Sequence, residues 1–154
     1  MANSLTYNAV DLGGASYGFT IEENAFALAS PPPRVYRNGL ANADGEVSQG
    51  ATFGARVGAV RGTVAAASYS ALQAARQNIV NALAAGQEGN KALSFDDVAA
   101  GKQWSAKVIG VSFENETAST LDLSITFYAS QPWPVATSET ATADTAVSAG
   151  GTTL

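Results

Sequence analysis

The run Leu121-Asp122-Leu123-Ser124-Ile125-Thr126-Phe127-Tyr128 constrains this chain most. Apolar residues alternate with polar ones at a period of two, which no helix tolerates and which marks a strand with one buried face. Residues 103–113 alternate as well. Trp104, Ala106 and Val108 share one face, and Lys107, Ile109, Val111 and Phe113 the other, so apolar groups on both faces predict a central strand. The polar break Glu114–Ser119 between the two runs predicts a hairpin. Residues 52–65 form a third long candidate, and shorter strands are expected at 4–10, 17–23 and 34–37 and around Leu93 to Phe95.

One segment carries the helical period instead. Leu72, Ala75, Ile79 and Leu83 recur at spacings of three and four, in an alanine-rich stretch of high helix propensity. Ser70 with Gln73 matches a capping box, and Gly86 stands where a C-terminal cap belongs, so a helix is expected over about 71–85. Residues 38–51 are rich in turn formers and predict a long loop or projecting hairpin with Asp44-Gly45 at its tip. Past Pro132-Trp133-Pro134 the composition collapses to Ala, Thr, Ser, Gly and Val. Residues 1–134 are therefore expected to form one domain and 135–154 a low-complexity tail outside its core, flexible in a free subunit.

Composition narrows function by exclusion. The 154 residues contain no cysteine and no histidine, which removes disulfides, thiol catalysis, histidine-dependent triads and most zinc and copper sites. Eight basic against 13 acidic residues give a net charge of −5, which disfavours a basic nucleic-acid-binding patch. No apolar run is long enough to span a membrane, and Met1-Ala2-Asn3-Ser4 opens no secretory signal, so a cytosolic protein, or a particle assembled there, is expected.

Candidate chemistry is sparse. Glu22-Glu23 and Asp96-Asp97 are adjacent pairs whose side chains on a strand would point to opposite faces, so they are read as solvated positions rather than an acid/base couple. Gly13-Gly14 and Gly18 lack the Lys-Ser/Thr ending of a phosphate loop and predict a tight turn. Trp104 sits in an alternating run and is read as core rather than as a stacking platform. Gly54, Gly58 and Gly62 share one face of a strand. They allow the strand to bend around the core, or allow a neighbouring subunit to approach closely. No catalytic, cofactor or metal-binding residue is named, and no enzyme is expected.

The order of these features resembles a known family. Leu5–Gly13, Tyr17-Gly18-Phe19, Asp44-Gly45-Glu46, Thr52–Arg56, Val60–Val64, Ser68–Leu72, Leu93–Asp97, Trp104–Val108, Leu121–Phe127 and Gln131-Pro132-Trp133 follow the succession of the N-terminal domain of phage distal tail proteins, over about residues 4–134. The resemblance implies a mainly β, tail-tube-like β-sandwich with one flanking helix. It implies a homo-hexameric ring at the virion's tail tip, between the tail tube protein above and the hub or baseplate protein below. DNA would pass through the ring without specific binding, and there would be no membrane insertion. Many members continue into a second, sugar-binding type of domain, whereas about twenty low-complexity residues follow Pro134 here. The alternatives are the major tail tube protein of such a phage and, from another class, a small carbohydrate-binding sandwich. The residues expected to touch neighbouring copies are Asp44, Gly45 and Glu46 in the loop and Phe53, Gly54, Arg56, Gly58 and Gly62 along the strand.

Overall fold

A computed structural model of the chain describes residues 4–39 and 46–136. The expected tail lies outside them apart from its first two residues. The chain is mainly β. Its strands are β1 (Leu5–Tyr7), β2 (Val10–Asp11), β3 (Phe19–Asn24), β4 (Pro33–Gly39), β5 (Glu46–Phe53), β6 (Arg56–Ala65), β7 (Lys91–Phe95), β8 (Lys102–Glu114), β9 (Thr120–Ala129) and β10 (Val135–Ala136). Two helices interrupt them, α1 (Ala25–Leu28) and α2 (Tyr69–Glu88).

The main sheet runs β2-β1-β7-β8-β9-β6-β3, with β10 added to β8 and every pairing antiparallel. The 13-residue β8 joins two half-sheets. Its first part pairs with β7 (Leu93 opposite Trp104) and its second with β9 (Phe113 opposite Leu123). Leu12 ties the far ends together, donating to the Leu5 carbonyl at 3.0 Å and accepting from the Phe19 amide at 3.0 Å. The sheet therefore curls around its core, and Tyr7 of one half meets Phe127 of the other with ring centroids 5.3 Å apart. Phe26, Phe95 and Trp104 complete an aromatic centre of edge-on and tilted contacts.

The alternating run at 121–128 is β9, and Leu121, Leu123, Ile125 and Phe127 are all buried. In β8 the alternation is reset. Trp104, Ala106 and Val108 face the core as expected, but a bulge between Val108 and Gly110 leaves Ile109 as an extra, exposed residue. Val111 and Phe113 thereby turn to the core face, where they pack against it, rather than to the opposite face that unbroken alternation predicts.

Helix α2 buries Leu72, Ala75, Ile79 and Leu83, the face read from the sequence, but its ends differ. Its N-cap is Ser68, whose hydroxyl accepts from the Ala71 amide at 3.2 Å, and not Ser70. Gly86 lies inside the helix against Tyr7, and Gly89 is the C-cap. A second, one-turn helix, α1, is capped by the Asn24 side chain, which accepts from Ala27 at 3.0 Å.

The strand expected at 4–10 breaks at Asn8 and Ala9, both at positive φ, and Gly18 at φ +66 turns the chain into β3. The candidate at 52–65 is two strands separated at Gly54-Ala55, and much of the expected loop at 38–51 is paired. Strands β4 and β5 form a separate two-stranded ribbon from Pro33 opposite Phe53 to Gly39 opposite Glu46. The residues on either side of 40–45 pair as the arms of a hairpin, the alternative that the turn-rich segment offered to a loop, and the strand expected at 34–37 lies in the first arm.

Candidate assembly surface

The base of the ribbon is built around Arg56. It is the first residue of β6 and only 6% exposed. Its Nε donates to the Pro132 carbonyl at 2.8 Å and its guanidinium to the carbonyls of Phe26 at 2.7 Å, Ala27 and Ala29. These last three are the unpaired C-terminal carbonyls of α1, where a cation is electrostatically favoured. The rings of Phe26, Trp104 and Trp133 surround the guanidinium at 5.8–6.0 Å. Burial pulls its pKa down from the ordinary arginine value. Arg56 thus binds α1, β6 and the segment after β9 into one unit, and Trp104 adds a bond from Nε1 to the same Pro132 carbonyl at 3.3 Å.

Close approach within the chain uses the glycines. A Cβ on Gly58 would lie 2.6 Å from the Phe26 Cα, and one on Gly62 would lie 2.0 Å from the Thr20 carbonyl oxygen. These positions admit α1 and β3, the intramolecular counterpart of the approach expected of strand glycines. Gly54 sits in the bend between β5 and β6, its amide bonded to the Pro32 carbonyl at 2.7 Å. Phe53 closes β5 on the surface, 52% exposed, and stacks edge-on with Trp133, 53% exposed, at 5.2 Å. Glu46 starts β5, while Asp44 and Gly45 lie outside the described residues.

Sequence reasoning missed two features. One is the exposure of large apolar side chains, Leu28, Val57, Ile109 and Tyr128, in addition to the Phe53–Trp133 pair. Val57 and Tyr128 stand opposite each other in register, which only the pairing of β6 with β9 brings about. The other is an open groove of about 430 Å³ on the outer face of the β8-β9-β6-β3 half-sheet, lined by Glu22, Glu23, Arg61, Glu114 and Asp122. Glu22 and Glu23 were expected on opposite faces. A bulge between Ile21 and Glu23 exposes both on this one. Glu23 pairs with Arg61 at 3.8 Å, and Glu22 accepts from Thr63 Oγ1 at 2.8 Å.

The other candidates keep their quiet roles. Asp96 accepts from Ser4 Oγ and closes a loop, Gly13 and Gly14 form a turn on Asp11, and Trp104 is buried. Among the described residues no group of acidic side chains has the arrangement of a metal site, and no helix is long and apolar enough to cross a membrane.

A curled antiparallel sheet closed by one long helix, with a paired ribbon projecting from it, places the chain among mainly β, sandwich-type domains. Its likeness to known proteins lies in three dimensions. No protein-family model matches the sequence, and no curated protein does. The fold matches the crystal structure of the Dit protein of phage SPP1, described as a paradigm of the hub adsorption apparatus in phages that infect Gram-positive hosts. The TM-score is 0.69 at 14% identity over 88% of this chain, and the chain spans about half of that protein, 53% of its length.

Proposed function

We propose that this chain is a structural component of a phage tail tip, a distal tail protein whose copies form a closed homo-hexameric ring in the virion. The ring joins the tail tube protein above to the hub or baseplate protein below and surrounds the channel for DNA. The observation that carries this reading is the Dit fold over nearly all of the chain. The six-fold number follows from the family resemblance read in the sequence.

Self-association has independent physical support. Among the described residues no strand pairs with the outer side of β3 beyond Phe19, and none pairs with the ribbon besides its own two. Unpaired edges of this kind are satisfied by joining another chain. The exposed Phe53 and Trp133 stand beside the ribbon, and aromatic groups of this kind are enriched at interfaces. Phe53, Gly54 and Glu46 at the ribbon remain the contacts favoured by this reading.

Native mass spectrometry and negative-stain microscopy of the purified chain test it. Six-fold rings with six times the 15.6 kDa subunit mass are expected. Rings that stack into growing tubes would assign the tail tube role instead. A monomer at every concentration, with no ring of this protein in assembled tails, would overturn the proposal.

A further inference from the structure

The segment that follows β9 presents one side chain from a stiff backbone. Pro132 and Pro134 flank Trp133, so two of its backbone nitrogens cannot donate, and the residue before each proline is kept extended. Such a stretch cannot continue a sheet and is fixed through a carbonyl instead. The buried Pro132 accepts from Arg56 Nε at 2.8 Å and from Trp104 Nε1 at 3.3 Å. Beyond Pro134, β10 pairs with the start of β8, Val135 opposite Gln103 and Ala136 opposite Lys102. Between these two fixings Trp133 projects, 53% exposed, and its ring meets Phe53 edge-on at 5.2 Å.

Phe53 is the last residue of β5 and stands opposite Pro33 at the base of the ribbon. A two-stranded ribbon is marginally stable by itself in water, so β4 and β5 depend on what braces them. Their two connections to the body, residues 30–32 and 54–55, run into one anchor. Arg56 follows the second directly and bonds to the Ala29 carbonyl just before the first. The connections fix where the ribbon leaves the body. The stack of Phe53 on Trp133 braces it from the side, and that brace comes from a segment beyond β9.

We propose that residues 130–136 are a strap that sets the order of the ribbon. With the strap docked, Trp133 braces Phe53 and the β4–β5 ladder is held closed. With the strap released, the ladder opens from its base. The strap leads into the chain beyond Ala136, so a pull or a contact made there reaches the ribbon through one ring contact. The inference goes beyond the ring reading and stands without it, because the contact lies within one chain. An aromatic pair of this geometry shifts an equilibrium by a factor of about two to ten. The coupling acts equally in both directions, from strap to ribbon and from ribbon to strap.

Hydrogen exchange of the full chain, read by mass spectrometry, tests this on the parent, Trp133→Ala, Phe53→Ala and the double variant, all in the same assembly state. Both side chains are about half exposed, so neither substitution opens the core. Trp133→Ala is expected to speed exchange in the peptides of β4 and β5 about two- to tenfold and to leave α2 and β9 unchanged. In the Phe53→Ala background the same substitution should add nothing, because its partner is gone. Phe53→Ala should in turn speed exchange in the peptide of the strap. Ribbon peptides that ignore Trp133→Ala, or a strap that ignores Phe53→Ala, overturn the proposal. So does an equal acceleration in α2, which marks a loss of stability throughout the domain, or an undiminished effect of Trp133→Ala once Phe53 is absent. Native mass spectra of the same samples report on the ring separately, so a failure of either reading leaves the other standing.

Discussion

Gly86 and Gly89 stand three residues apart at the end of α2 and use the missing side chain differently. A Cβ on Gly86 would lie 2.1 Å from Tyr7 Oη and 2.4 Å from its ring, whereas one on Gly89 meets nothing within 4 Å. Alanine inside a helix ordinarily gains about 1 kcal/mol over glycine. Tyr7 cannot yield, because it is fully buried and its hydroxyl donates to the Ala106 carbonyl at 2.9 Å. Gly86→Ala is therefore expected to lose about 2 kcal/mol in urea denaturation through overpacking. Gly89→Ala, at an extended φ of −169, should stay within roughly 0.5 kcal/mol of the parent. A stabilised Gly86→Ala would refute the contact. Burial pushes the Tyr7 phenol up to about 12 from its ordinary 10.0. The unfolded chain loses this proton above about pH 10 and the folded chain only near 12. The contribution is therefore intact below pH 10 and declines as pH rises through that window, by up to about 1 kcal/mol per pH unit. Tyr7→Phe should show a shallower fall in stability between pH 9.5 and about 11.5, and parallel curves for the two proteins would sink the assignment.

At the scale of elements, the apolar period located α2 but its flanks did not locate its ends. Ser68 and Ser70 both precede the first buried turn, and only Ser68 has the extended backbone, φ −150 and ψ 166, that aims a cap hydroxyl at the third residue on. Ser68→Ala is expected to cost about 1 kcal/mol, with Ser70→Ala close to neutral. Thermal melts of the two variants distinguish them, and equal losses would restore the capping box at Ser70. In its first half, α2 also gains support from a contact between elements. Arg76 lies over the Phe113 ring at 5.0 Å and reaches Glu116 at 4.0 Å, while Gln73 also bonds to Glu116, so the β8–β9 hairpin is fastened to the helix. The bulges in β3 and β8 have a different effect. Each adds one residue, and each moves charged or apolar side chains from one face of the sheet to the other.

For the whole molecule, closure through Leu12 and the Arg56 anchor leave one half-sheet face, the outer side of β3 beyond Phe19 and the ribbon without a partner strand among the described residues. The chain carries five net negative charges, and its outer groove holds four carboxylates against one cation. Phosphates bind where cations cluster, and release of counterions makes such binding steeply salt-dependent. An assembled ring is therefore expected to leave double-stranded DNA unretarded in electrophoresis even at about 50 mM salt. Tight binding there would show a basic lumen and remove the role of a passive channel.

The sequence alone determined what depends on neighbours along the chain. The two-residue period of Leu121 to Phe127 fixed a half-buried strand, and the spacing of Leu72, Ala75, Ile79 and Leu83 fixed the buried face of a helix, because each repeats the geometry of its own backbone. The turn at Gly13-Gly14 and the core role of Trp104 were legible for the same reason. Only the tertiary structure decided which residues meet across the fold. Arg56 is expected from the sequence to touch a neighbouring copy, yet within the subunit it is a buried anchor because the carbonyls that hold it come from residues 26, 27, 29 and 132. The sequence left the ribbon open between a long loop and a hairpin, because turn formers mark a reversal of the chain but not the backbone ladder on either side of it. The acidic groove was hidden because bulges reset side-chain direction by one residue, and strand register, set by packing over the whole sheet, then brings Glu23 and Asp122 to one surface.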